Sequence, residues 1–171
     1  MLSMVEYVHQ RMKEYKDLKV GVDFTMGNGH DTKALIDCCE NVYSFDIQEQ
    51  ALIHTKELVG DQAHLICDSH ENFDQYVDDF DIGIFNLGYL PEGDHSITTT
   101  LDVTQRTLMK AIEHMHKVLF ITCYIGHPQG KQEADWINQY TSELDTHKYN
   151  VSMFKMLNKK QAPYVIEIEK R

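Results

Sequence analysis

Asp23-Phe24-Thr25-Met26-Gly27-Asn28-Gly29-His30-Asp31 is the stretch that decides the fold. The apolar run Lys19 to Thr25 (KVGVDFT) leads into it and reads as a short buried strand. A helical pattern, Thr32 to Cys39, leads out, with Asp31 as its expected N-cap. Between them, Gly27 and Gly29 let the backbone come close to a ligand. A strand, a glycine turn and a helix open a β-α unit, and ligands of such sheets bind beyond the carboxyl ends of the strands. The full dinucleotide fingerprint needs a third glycine, which would fall at Thr32, so a nicotinamide or flavin cofactor is disfavoured.

The same alternation continues outward. Asn41 to Phe45, Ala63 to Cys67, Phe80 to Leu87 and Lys117 to Ile125 read as strands. Helical patterns cover Gln48 to Val59 (stopped by Gly60), Glu71 to Val77, Thr98 to His116 and Lys131 to Leu144. Lys117 to Ile125 is apolar on both faces, as a central parallel strand should be. Tyr149 to Leu157 and Tyr164 to Glu169 are separated only by a tight connection and should pair antiparallel. Leu2 to Tyr15 is expected to pack as an N-terminal helix. The expectation is an α/β Rossmann-like domain spanning 1–171, with a mostly parallel sheet, helices on both faces and a C-terminal hairpin.

The residues to inspect therefore follow the strands. Asp23, Asp46 and Asp68 end the first three at near-equal spacing. Asp46 can accept hydrogen bonds from both ribose hydroxyls of an adenosine ligand. Asp68 or Ser69, beside His70, could meet an adenine edge. Each alone is more often a turn or cap residue; together they point to an adenosine-type ligand. After the fourth strand come Asn86-Leu87-Gly88-Tyr89-Leu90-Pro91. The Asn86 amide oxygen and the Leu87 carbonyl can hold the N–H groups of an amine, and Tyr89 can stack on a planar base. An ordinary turn explains the same residues equally well. Glu92 to Thr100 reads as a polar active-site loop, with Ser96 or Thr98 capping the next helix. His127, after the fifth strand, is on the same edge and could accept a proton. His9, His54, His114, His116 and His147 read as surface residues.

Composition sets limits. The 171 residues suit one domain with a sizeable core. No apolar run is long enough to cross a bilayer, and the N-terminus lacks the layout of a signal peptide, so a cytoplasmic location is expected. None of Cys38, Cys39, Cys67 and Cys123 forms a Cys-x-x-Cys pair; they read as small buried core residues. No cluster has metal-ligand spacing, and a serine nucleophile elbow is missing. The net charge of −11 argues against broad, non-specific nucleic-acid binding. The basic residues cluster early (Arg11, Lys13, Lys16, Lys19) and late (Lys155, Lys159, Lys160, Lys170, Arg171), where a few phosphate contacts remain feasible.

With these segments in view, the chain resembles the YtqB-like class I methyltransferases, formerly described as rRNA methylases and now known as the tRNA methyltransferase MnmM. The resemblance rests on Asp23 to Thr32 (DFTMGNGHDT), Tyr43 to Gln48 (YSFDIQ), Ser69-His70, Phe85 to Pro91 (FNLGYLP), Gly93 to Thr99 (GDHSITT), Gly126-His127-Pro128 with Gly130, and Ile168 to Arg171. It implies a seven-stranded sheet with a reversed last strand. It implies S-adenosylmethionine held by Gly27, Asn28, Gly29 and His30, by Asp46 and Gln48, and by Ser69 and His70, with Asp23 in the same motif and S-adenosylhomocysteine as product. It implies a tRNA substrate, the 5-aminomethyl group of wobble uridine 34, often 2-thiolated, and a homodimer. In that scheme Asn86 and the Leu87 carbonyl hold the amine, Tyr89 packs on the uracil, and Asp94 or His127 takes the proton. The competing readings are a methyltransferase of a small-molecule amine or of another RNA such as rRNA, and a non-catalytic sensor of an adenosine ligand.

Overall fold

The computed structural model describes residues 2–88 and 100–171. The described residues form a seven-stranded sheet in the order β3-β2-β1-β4-β5-β7-β6. The strands are β1 (Val20–Asp23), β2 (Asn41–Asp46), β3 (His64–Cys67), β4 (Phe80–Leu87), β5 (Met115–Cys123), β6 (Tyr149–Phe154) and β7 (Tyr164–Lys170). β1 to β5 pair in parallel; β7 inserts antiparallel between β5 and β6. This is the Rossmann-like sheet with a reversed C-terminal strand that the β-α alternation and the closing hairpin predict.

The helices are α1 (Met4–Met12), α2 (His30–Cys38), α3 (Glu49–Val59), α4 (Leu101–His114) and α5 (Pro128–Ser142), with a 3₁₀ helix over His70–Gln75. The strand period of two sorts the core into two layers. On β5, Val118 and Phe120 join Met4, Val8, Met12 and Leu35 beneath α1 and α2. Leu119, Ile121 and Cys123 point the other way, joining Leu108, Ile112, Ala134 and Ile137 of α4 and α5. A strand buried on both faces favours apolar side chains, which is why Val118 to Ile121 of β5 form an unbroken apolar run. Both faces being covered, each fully buried aliphatic side chain contributes about 1.5–3 kcal/mol.

Several boundaries differ from the sequence expectation. Asp31 does not cap α2: Gly29, with φ of +87°, is the N-cap, and the helix already starts at His30. The left-handed turn brings the Gly29 backbone so close to α3 that a Cβ would lie 2.8 Å from Thr55, so close approach here serves packing as well as ligand access. α4 starts at Leu101, capped by Thr100, whose hydroxyl accepts the Val103 N–H. Ser96 and Thr98 lie outside the described residues. β5 begins two residues early, because Met115 pairs with Phe80 and is fully buried. α5 begins at Pro128, where proline suits a first helical turn, and takes His127 as its N-cap. Cys67 is exposed and Cys38 and Cys39 are half-buried; only Cys123 is a buried core residue among the four. Among the described residues, no helix is long and apolar enough to cross a membrane.

Candidate active site

A cavity of about 700 Å³ opens at the carboxyl edge of the sheet, within the usual size range for a small-molecule site. The segments after β1, β2, β3, β4 and β5 all contribute to its wall, as the topology requires. Gly27, Asn28, Gly29, His30, Asp46, Gln48, Asp68, Ser69, His70, Asn86 and His127 are all brought together there.

Asp23 is the exception. It is fully buried beneath the loop and absent from the cavity wall. One oxygen accepts the Thr25 N–H at 3.1 Å; the other accepts the Thr32 hydroxyl at 2.7 Å. Since that hydroxyl has one proton, the Ser44 hydroxyl must donate to Thr32 in turn, at 2.8 Å. Thr32 thus stands at the missing third glycine position because its hydroxyl ties β1, α2 and β2 together. Burial, followed by the nearby Asp31 charge, raises the Asp23 pKa. Its place is structural support for the loop, not contact with a ligand in this cavity.

Asp46 bridges two loops, accepting the Gly27 N–H at 3.1 Å and the Gln48 N–H at 2.9 Å on its two oxygens. A carboxylate has roughly four lone-pair sites, so acceptor capacity remains for a ligand. Asp68 accepts from the Ser69 N–H, the Asn72 amide and the Tyr76 hydroxyl. The Asn72 bond leads in lowering its pKa. Ser69 caps the 3₁₀ helix.

His70 is buried, with Nδ1 2.8 Å from the Phe24 carbonyl. A carbonyl only accepts, so Nδ1 carries the proton and Nε2 presents a lone pair. Nε2 is the buried side-chain polar atom left without a partner among the described residues. Burial, only partly opposed by the Phe24 carbonyl, lowers the pKa and keeps the ring neutral. An unpaired buried acceptor costs about 1–3 kcal/mol, so Nε2 is poised to take a hydrogen bond.

Also in the cavity wall, Asn86 donates its backbone N–H to the Thr25 hydroxyl oxygen at 2.8 Å and its side-chain Nδ2–H to Asp31 at 2.5 Å. The Leu87 carbonyl, expected to face an amine, accepts the Tyr124 N–H at 2.8 Å and continues the sheet ladder. His127 Nδ1 accepts the Gly130 N–H, which leaves Nε2–H to donate to the Gly88 carbonyl. With both ring nitrogens engaged, His127 holds the turn after β4 against the start of α5. That differs from the expected proton acceptor, whose lone pair would have to be available. Gly88, at φ of +78°, fits there because a Cβ would strike the Tyr124 carbonyl. Tyr89 and Asp94 lie outside the described residues.

Three site residues escaped the sequence reading. Asp31, expected to be a cap, lines the cavity, and His9, expected at the surface, meets it at 2.6 Å. Glu133 also lines the cavity and is buried, accepting the Thr104 hydroxyl at 2.7 Å. Burial raises its pKa more than that bond lowers it. Both acids carried a readable signal: Asp31 is one turn from buried Leu35, and Glu133 lies in the stripe of Ile137 and Thr141. An acid in a buried helical stripe needs a partner or a ligand.

Among the described lining residues there is no lysine or arginine, whereas Asp31, Asp46, Asp68, Glu71 and Glu133 all contribute. The cavity therefore favours a cationic guest. Together, the sheet order and a cavity with a glycine turn after β1 and an acid at the end of β2 define a Rossmann-like methyltransferase, a class that takes its methyl group from S-adenosylmethionine. More particularly, the chain belongs to the family described as "Putative rRNA methylase", whose model matches residues 42–169. A protein of Streptococcus mutans solved in complex with S-adenosylhomocysteine is 33% identical, with a TM-score of 0.90 over 100% of this chain and 99% of that one. An rRNA methylase of Streptococcus thermophilus is 30% identical, with a TM-score of 0.83 over 99% and 98%. A curated relative, the chloroplastic tRNA (mnm(5)s(2)U34)-methyltransferase of Arabidopsis thaliana, is 34% identical over 88% of this chain, which spans 62% of that relative's length.

Proposed function

We propose that this domain, residues 1–171, N-methylates the 5-aminomethyl group of wobble uridine 34 in tRNA, giving 5-methylaminomethyl-(2-thio)uridine. The observation that carries the reading is one cavity whose wall holds both an adenosine-type cradle and Asn86, fixed by Thr25 and Asp31 at the end of β4. The Arabidopsis thaliana relative, whose name specifies this reaction, supports the choice of substrate.

S-adenosylmethionine fits the cradle. Gly27, Asn28, Gly29 and His30 supply backbone and polar atoms, Asp46 with Gln48 takes the ribose, Asp68 and Ser69 border the base, and His70 Nε2 takes an N–H. When bound, it supplies a methyl group on a sulfonium whose departure leaves S-adenosylhomocysteine. The chain's own work is to position the amine and exclude water, because little else limits such a displacement. Asn86 holds the amine through its amide oxygen, Tyr89 packs on the uracil, and Asp94 receives the proton. The lining acids favour the cationic partners and disfavour phosphate inside the cavity.

Phosphate contacts belong outside it. Cys123 pairs with Tyr164, and Phe154 with Val165, so the turn between β6 and β7 rises at the same edge as the cavity. Lys155, Lys159 and Lys160 are exposed on that turn. Lys13, Lys16, Lys19, Lys170 and Arg171 lie toward the opposite edge, where Val118 pairs with Glu169, and Arg11 is occupied by Glu167. A few contacts beside a single splayed-out base need no strongly basic protein.

The test is nucleoside mass spectrometry of tRNA bearing 5-aminomethyl-2-thiouridine, incubated with the protein and S-adenosylmethionine. A gain of one methyl on that nucleoside is expected. No gain, with cofactor binding intact by calorimetry, would overturn the tRNA reading and favour methylation of rRNA or a small amine.

A further inference from the structure

Asn86 Nδ2 lies 2.5 Å from Asp31 Oδ2, and Asp31 Oδ1 lies 2.6 Å from His9 Nε2. These residues come from the end of β4, the first turn of α2, and α1. An ionised carboxylate only accepts hydrogen bonds. The contact therefore admits one orientation of the Asn86 carboxamide, with NH2 toward Asp31 and Oδ1 turned away from it. Flipping the amide would set two oxygens against each other. Asp31 and Asn86 both line the cavity, as does Val5, one helical turn before His9 on α1. Asp31 is itself buried, so its carboxylate has few conformations open to it, and His9 secures the second oxygen.

We propose that Asp31 is a positioning residue for the methyl transfer: it turns the Asn86 carboxamide so that Oδ1 takes an N–H of the substrate amine, and His9 of α1 seats the carboxylate. The N-terminal helix is thereby part of the active site. Asp31 exchanges no proton in this role; it acts through Asn86. Without it, the amide can rotate by 180° and present NH2 to an amine, donor against donor. Asp23, the other carboxylate near Asp31, faces away to Thr25 and Thr32.

The test has two arms. The kinetic arm rests on the proposed amine methylation. Asp31→Ala should lower kcat by about 100-fold, the cost of misplacing a reacting group, with KM and cofactor affinity little changed. Asp31→Asn can still accept the Asn86 NH2 through its own amide oxygen and should restore most of the rate. Asp31→Ala combined with Asn86→Ala should be no slower than Asn86→Ala alone, within about twofold. Losses that multiply, or an Asp31→Asn variant as slow as Asp31→Ala, would overturn the proposal.

The second arm needs no substrate. In ¹⁵N–¹H spectra of the free protein, the Asn86 side-chain amide, identified by its loss in Asn86→Ser, should be shifted downfield. It should return to the ordinary amide position in Asp31→Ala and move partway in His9→Ala. An Asn86 signal unmoved by Asp31→Ala would sink the inference whatever the enzyme methylates. If the wild type shows no tRNA methylation but the amide shift follows Asp31, only the substrate reading fails.

Discussion

The Asp46 carboxylate accepts the Gly27 N–H at 3.1 Å, fastening the glycine loop after β1 to the end of β2. Its other oxygen holds the Gln48 N–H, so one side chain shapes two walls of the cradle. Asp46→Ala removes both bonds and the proposed ribose acceptor at once. Calorimetry should record at least a tenfold loss of S-adenosylmethionine affinity, since a charge-assisted hydrogen bond is worth about 1.5–3 kcal/mol. Unchanged affinity would remove Asp46 from the cofactor site.

His70 makes the cradle sensitive to acid. Its folded pKa is depressed below 6.5 by burial, so as pH falls through 6.5 the unfolded chain takes up a proton that the native ring refuses. Stability is therefore lost as pH falls between 6.5 and the depressed native value. Protonating Nε2 also abolishes its acceptor, so cofactor affinity should decline over the same window. Thermal unfolding from pH 7.5 to 5 should show a steeper fall for the wild type than for His70→Asn. Parallel curves would argue against a buried neutral imidazole.

The Glu167 carboxylate, buried on β7, receives Arg11 in a two-pronged pair at 3.0 and 2.8 Å and the Tyr15 hydroxyl at 2.7 Å. Burial raises its pKa, but Arg11 and Tyr15 outweigh burial and hold it below the usual value. Arg11→Met should strand this charge and destabilise the fold. A fully buried broken pair costs about 3–5 kcal/mol; Arg11 is partly exposed and screened, so about 2 kcal/mol is expected. Denaturant unfolding measures it, and Arg11→Met with Glu167→Gln should recover most of the loss.

Exchanging Lys155, Lys159 and Lys160 for glutamine should weaken tRNA binding and flatten its salt dependence. Each lost phosphate contact should reduce the log–log slope by about 0.7–0.9. Exchanging Lys13, Lys16 and Lys19 on the opposite edge should leave the slope unchanged. The reverse pattern, read by filter binding at several salt concentrations, would move the RNA to the other face.

Local pattern determined much of this protein. β5 announced itself through the apolar run Val118 to Ile121 that burial on both faces favours, and Gly27 and Gly29 because such residues suit that turn. That Asp46, Ser69 and Asn86 line the cavity was legible from their place after strands, since parallel sheets open their clefts at that edge. Tertiary structure alone decided what each side chain faces. Asp23 sits in the glycine motif yet turns inward to Thr32, and His127 spends one nitrogen on capping α5 and the other on the Gly88 carbonyl. Asp31 looked like a cap, but the crossing of α1 over α2 gives it His9, and the β4 end gives it Asn86. Hydrogen-bond partners join residues far apart in the chain, and no local periodicity records which of them meet.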